Sequence, residues 1–273
     1  GRKQRAAVGP LIGLLCSALG FRGRVGQREY DRPRVDAGNC LEHFARECAA
    51  DRGDTDDGGW LQGPDRCREV RNGRVLVRIR LLVFGEAAAA DIGGVTVYVL
   101  DSGIDGLGGD LNLVRHVNFA DGPNADCHGH GTHVAGTIGA RDNEMGIIGV
   151  APGVPLVGVR VIDCSGNGTS ASIIKGIDWV AGNQAGPSVI NLSVGGGVSP
   201  SLDAAVKAAS GQGIFFVIAA GNAATDACLL SPSLNGAASG IVTVAAMDVN
   251  EAEASFSNFG GCVDLWAPGV GVT

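Results

Sequence analysis

The sequence has no excess of basic residues. Its 273 residues carry 21 Lys and Arg against 28 Asp and Glu, a formal charge of −7, and a pI near 5.2. Phosphate recognition needs clustered cationic side chains, so nucleic acid is excluded as an expected partner. Long apolar runs are missing too. The longest nearly apolar stretch, Val8 to Phe21, is short and broken by glycines, whereas a membrane-spanning helix needs about 20 consecutive apolar residues. No internal repeat is present. Histidine is scarce: of five in the chain, three lie within six residues, in Ala125-Asp-Cys-His-Gly-His-Gly-Thr-His-Val-Ala-Gly-Thr-Ile-Gly139. What the chain does have is 45% hydrophobic residues, enough for a sizeable core in one large or two small domains.

Charge is unevenly distributed. Residues 1–80 hold 16 of the 21 basic and 11 of the 28 acidic residues, a net of +5, and the remainder is −12. The first part has few β-branched runs and loop-like clusters such as Asp51-Arg-Gly-Asp-Thr-Asp-Asp-Gly-Gly59, the composition of a poorly ordered segment. Its basic start (Arg2, Lys3, Arg5) followed by the Val8–Phe21 run has the form of a secretory signal, although the chain begins with Gly1. Residues 1–85 therefore read as a poorly ordered leader or degenerate pro-segment, and 86–273 as the folded domain.

From about Gly94 short apolar runs alternate with helical patterns. Val95–Leu100, Val154–Ile162, Ser188–Ser193, Ile214–Ala220 and Ile241–Ala246 read as strands buried on both faces. Between them Ser172 caps a helix with Ile173, Ile174, Ile177 and Val180 on one face. Ser199-Pro200 opens another with Leu202, Ala205, Val206 and Ala209 inward, ending at Gly211 or Gly213. Strand–helix–strand repetition predicts an α/β fold with a mainly parallel sheet, whose chemistry gathers at the carboxyl ends of the strands. Asp101 stands at one such end and Asn222 at another. Val134 and Ile138 are at helical spacing, which places His130 and His133 around the first turn of a helix.

Val99-Leu-Asp101-Ser-Gly-Ile, His130-Gly-Thr-His-Val-Ala-Gly136, Asn191-Leu-Ser-Val-Gly-Gly196 and Ala219-Ala-Gly-Asn222, in this order, resemble the subtilisin-like serine proteases. Ala254-Ser-Phe-Ser-Asn-Phe-Gly260 and Val263-Asp-Leu-Trp-Ala-Pro-Gly269 are similar to the proteinase K-like branch. The resemblance implies a three-layer fold with the sheet flanked by helices, and a serine endopeptidase. Asp101 would be the triad carboxylate, His130 the general base and Asn222 the oxyanion donor. Gly166-Asn167-Gly168 and Ser193-Val194-Gly195, with Ala219-Ala220-Gly221, would bind substrate as an added strand. Gly195 and Gly221 suggest a pocket open to large apolar side chains. His133 would be structural and His128 a loop residue. By the same resemblance Cys127 pairs with Cys164 and Cys228 with Cys262, in an oxidising, extracellular compartment; free buried thiols are the alternative. The implied partners are protein or peptide substrates and an inhibitory propeptide, with the protein a monomer. Catalysis would need no cofactor, while Asp264, with carbonyls near Ser239 to Ile241, resembles a structural calcium site.

The nucleophile is the departure. The family pattern calls for a Gly-Thr-Ser-Met-Ala block after the Ala-Pro-Gly segment, and the sequence to Thr273 does not contain it. Gly168-Thr-Ser170-Ala-Ser172 comes before Asn222 and lacks the proline, so it fails the chain-order requirement. The expectation is a fragment, about two thirds of the catalytic domain, inactive as given. Two further readings compete: a peptide-binding pseudoprotease, and a metal-binding module using Cys127, His128, His130 and His133.

Overall fold

The computed structural model describes two short paired strands, Val70–Arg71 and Arg74–Val75, and residues 94–272 apart from 145 and 237. The proposed leader over 1–85, those four residues excepted, and the boundary at 86 lie outside the described residues.

Seven parallel strands form one sheet. They are β1 (Thr96–Asp101), β2 (Leu113–Asn118), β3 (Leu156–Arg160), β4 (Ser188–Leu192), β5 (Phe215–Ala219), β6 (Ile241–Met247) and β7 (Leu265–Pro268). Three α-helices connect them: α1 (His130–Gly139), α2 (Ser170–Asn183) and α3 (Pro200–Ser210). The strand order is β2-β3-β1-β4-β5-β6-β7. The chain leaves β1 for the edge, returns through β3, then crosses to β4 on the other side of β1. This reversal makes the carboxyl end of β1 a topological switch point, where open α/β sheets bind ligands.

Alternation along β1 divides the core. Val97 and Val99 pack with Val134, Ala135 and Ile138 of α1 on one face. Tyr98 and Leu100 pack with Ile173, Ile177 and Val180 of α2 and with Leu202, Val206 and Ala209 of α3 on the other. β3, β4 and β5 are buried at every position, as covered parallel strands must be.

Three details differ from the sequence reading. Thr169, not Ser172, caps α2: its hydroxyl accepts the Ser172 amide while the Ser172 hydroxyl accepts the Thr169 amide, a capping box. In α3 Ala205 packs half-buried against the expected core, and Asp203, not expected there, is buried as well, its carboxylate accepting from Ser231 and Asn235. Strands β2 and β7, the sheet edges, were not expected: Arg115 and His116 break the apolar run of β2, and β7 has only four residues, ending at Pro268.

Among the described residues two disulfides are present, Cys127–Cys164 and Cys228–Cys262, closing separations of 37 and 34 residues. The reading of these four as free thiols is therefore set aside. Loops of this size are expected to stabilise by about 2–4 kcal/mol each. Urea unfolding of Cys164→Ala and Cys228→Ala, each with its partner also replaced, is expected to show losses in that range.

Candidate active site

Asp101, the last residue of β1, is 1% exposed. Its Oδ1 accepts the Ser102 amide at 2.7 Å and lies 2.7 Å from Nδ1 of His130. An ionised carboxylate only accepts, so the proton is on Nδ1 and the lone pair on Nε2. Oδ2 is buried with no hydrogen-bond partner, so little besides the imidazole and one amide offsets the charge. The His130 side chain is 24% exposed. Burial opposes its protonation, but the hydrogen bond to Asp101, the charge of Asp101 and that of Asp126 together hold its pKa above the ordinary 6.5.

His130 is the first residue of α1, and the following glycine explains how the pair can meet. A Cβ on Gly131 would lie 2.1 Å from the Gly103 carbonyl oxygen and 3.0 Å from Cβ of Asp101. Only a bare backbone lets the helix start seat against the turn after β1.

The same sheet edge carries the other predicted groups. After β5, Ala220 donates to the Val244 carbonyl at 2.8 Å, Gly221 turns with φ 103°, and Asn222 follows on the exposed surface. Gly166 is half-buried and Asn167 and Gly168 exposed in a tight turn after β3. There Asp163 Oδ1 accepts the Ser165 and Asn167 amides at 2.8 and 2.9 Å. Those two amides, Asn167 first, hold the Asp163 carboxyl below its ordinary value. Ser193, half-buried, accepts from Asn191 at 3.1 Å, with Val194 half-buried and Gly195 exposed beside it. Residues 93–273 match the subtilase family. The chain belongs to that family.

Among curated subtilases, an alkaline serine exoprotease A of Vibrio alginolyticus is 48% identical over 180 residues, covering 64% of this chain and 32% of the relative. An extracellular serine proteinase of Thermus sp. (strain Rt41A) is 45% identical over 192 residues, covering 66% and 43%. The crystal structure of a cold adapted subtilisin-like serine proteinase superposes with a TM-score of 0.58 at 47% identity, covering 64% of this chain and 63% of that one. This subtilase thus spans less than half the length of these curated relatives.

Other candidates fall elsewhere. Cys127 is bonded to Cys164, so the thiolate that a zinc module would use is gone. Among the described residues no group of three or more His, Cys, Asp or Glu is arranged to hold a metal ion. His128 lies on the loop, its Nε2 close over Gly166, and His133 is in the helix with its carbonyl accepting from Thr137. Ser170 and Ser172 belong to the start of α2, where Ser172 also donates to Val161. The carboxylate of Asp264 accepts the Thr243 amide at 2.8 Å and the Ser239 carbonyl accepts the Ser210 hydroxyl at 2.9 Å. A carboxylate and backbone carbonyls are the kinds of oxygen donor that calcium takes, with water completing its shell.

Two residues of the site were missed from sequence. Asp126 accepts from the Ser102 hydroxyl, the amides of His128, Gly129 and Thr132, and the Thr132 hydroxyl. It thereby caps α1, whose own N-cap, Gly129, has no side chain to do so. Despite burial, these bonds, led by that from the Thr132 hydroxyl, hold its carboxyl below its ordinary value. Asn258 is 0% exposed and clamps the Asn222 loop: Nδ2 donates to Ala220, and Oδ1 accepts the amides of Ala223 and Thr225. An Asp four residues before a His and an Asn within Ser-Phe-Ser-Asn were in view, but local pattern does not reveal such distant partners. Asn258→Ala strands three backbone groups, and urea unfolding is expected to register a loss of about 3 kcal/mol.

Proposed function

We propose that this subtilase chain supplies the acid–base dyad and oxyanion donor of a serine-type endopeptidase. The observation that carries the reading is the 2.7 Å bond from His130 Nδ1 to the buried Asp101 carboxylate at the switch point of the sheet. With Nδ1 occupied, Nε2 is the base that takes a proton from an attacking hydroxyl and returns it to the leaving amine. Asp101 holds the tautomer and stabilises the imidazolium without accepting the proton. The Asn222 amide would donate to the oxyanion, and the extended peptide would add between the Gly166–Gly168 and Ser193–Gly195 edges. The hydroxyl itself belongs to a Gly-Thr-Ser-Met-Ala block after the Ala-Pro-Gly segment, which the sequence to Thr273 does not contain.

Protein or peptide substrates, an inhibitory propeptide and a monomeric secreted enzyme complete the proposal. Both disulfides fit an oxidising compartment, and one relative carries the name extracellular serine proteinase. No described helix is long and apolar enough to cross a membrane.

The test joins the chain at Thr273 to the serine-bearing segment of the Vibrio relative and follows peptide hydrolysis. Activity abolished by His130→Ala is the expected result. Saturable peptide binding by a folded fusion without cleavage would instead establish the peptide-binding reading. Because His130 must be neutral to act, the rate should rise with pH through the raised histidine pKa. Structural calcium at Asp264 belongs to the same proposal: the thermal midpoint is expected to fall in EGTA, and melts that coincide in calcium and EGTA would remove calcium from the reading.

A further inference from the structure

His116 lies in β2, outside the histidine-rich stretch, and has no role in the chemistry above. Its Nε2 accepts the Ile104 amide at 3.1 Å, and a backbone amide can only donate. The Nε2 position must therefore be a lone pair, and the ring proton sits on Nδ1, which donates to Asn124 Oδ1 at 2.8 Å. One ring thus joins two segments. Ile104 belongs to the turn that follows Asp101, and Asn124 to the loop carrying Asp126, the carboxylate that caps α1 beneath His130.

The packing leaves the ring little freedom. A Cβ on Gly158 of β3 would come within 2.4 Å of His116 Cδ2, and one on Gly103 within 2.9 Å of Nε2 and 3.0 Å of the Asp126 amide nitrogen. Around the ring, β3 presents Gly158, the turn presents Gly103 and Ile104, and the loop presents Asn124 and the Asp126 backbone. Gly103 in turn is the residue whose carbonyl meets Gly131 at the start of α1.

We infer that His116, as its Nδ1–H tautomer, is a positioning residue that braces the Asp101 turn and the Asp126 loop together and so keeps His130 in register with Asp101. The inference rests on the dyad being the working site, but its readout does not require hydrolysis, so it can fail while the proposed activity stands. Leucine at this position fills space and leaves the Ile104 amide without an acceptor. Glutamine places an amide oxygen where Nε2 was.

The experiment follows the His130 imidazole by NMR across pH in the unmodified chain, His116→Leu and His116→Gln. Loosening the dyad should lower the His130 midpoint by about half a unit or more in His116→Leu, with His116→Gln close to the parent. Equal midpoints in all three, or equal shifts in both variants, would overturn the proposal. Nitrogen-15 shifts of His116 in the unmodified chain provide a measurement that holds even if His116→Leu does not fold. A pyridine-type Nε2 supports the brace, and a protonated Nε2 in the neutral ring refutes it.

Discussion

Asp101→Asn is expected to lower the His130 midpoint below 6.5. Of the influences on this imidazole, burial is the largest and opposes the charged form; the bond to Asp101, its charge and the smaller contribution of Asp126 together outweigh it. Replacing the carboxylate by an amide removes both contributions of Asp101 and leaves burial against Asp126 alone. The amide can also turn its NH₂ toward Nδ1, which then accepts, and the proton moves to Nε2. That tautomer cannot act as base toward a hydroxyl. In the serine-bearing fusion the rate should fall by about ten-thousandfold, as for a triad that keeps its geometry but loses the correct tautomer. The titration is measurable by NMR without hydrolysis, and a midpoint that stays above 6.5 would contradict the role given to Asp101.

Stability should follow the same linkage. A folded-state pKa raised above the unfolded value means that protonated His130 favours the folded chain. This contribution is complete below about 6.5 and disappears as pH rises through the raised folded value. In Asp101→Asn it should vanish or change sign, visible as a different pH dependence of the urea midpoint on that interval.

Gly131→Ala is expected to separate the dyad without replacing either member. The added methyl would meet the Gly103 carbonyl at 2.1 Å, and both sides of that contact are backbone. No rotamer change relieves it. Either α1 shifts away from the turn, lengthening the 2.7 Å bond, or the turn after β1 distorts; the cost of such overpacking is about 3 kcal/mol. The checks are a urea midpoint lowered to match and a His130 midpoint that falls toward 6.5. Alanine is the best helix former of all residues, so helix propensity predicts the opposite sign for the stability change.

How much of this was open to sequence reasoning depended on whether a signal was local. Asp101, His130 and Asn222 stand in short blocks with a recognisable order, and the β1, β3, β4, β5 and β6 runs are largely apolar because central parallel strands are covered on both faces. The α2 cap was misplaced by three residues, since Thr169 and Ser172 are both competent caps and only the reciprocal bonds choose between them. Strand β2 escaped because Arg115 and His116 interrupt its apolar run, and β7 because a four-residue run ending at Pro268 is too short for a pattern. Asp126, Asn258 and His116 escaped for a different reason: their partners lie up to 38 residues away, and such separations leave no periodicity to read.

The order of residues by itself determined the class of fold, the carboxylate and imidazole at strand and helix ends, and the absence of a Gly-Thr-Ser-Met-Ala block up to Thr273. Tertiary structure alone decided which carboxylate oxygen meets the imidazole, which ring nitrogen carries the proton, and that three buried or half-buried polar side chains hold the two loops of the proposed site. The reason is range. Periodicity and capping act over a few bonds of chain, whereas the tautomer and pKa of an imidazole depend on contacts a few ångströms away in space between segments that packing of the sheet and helices brings together.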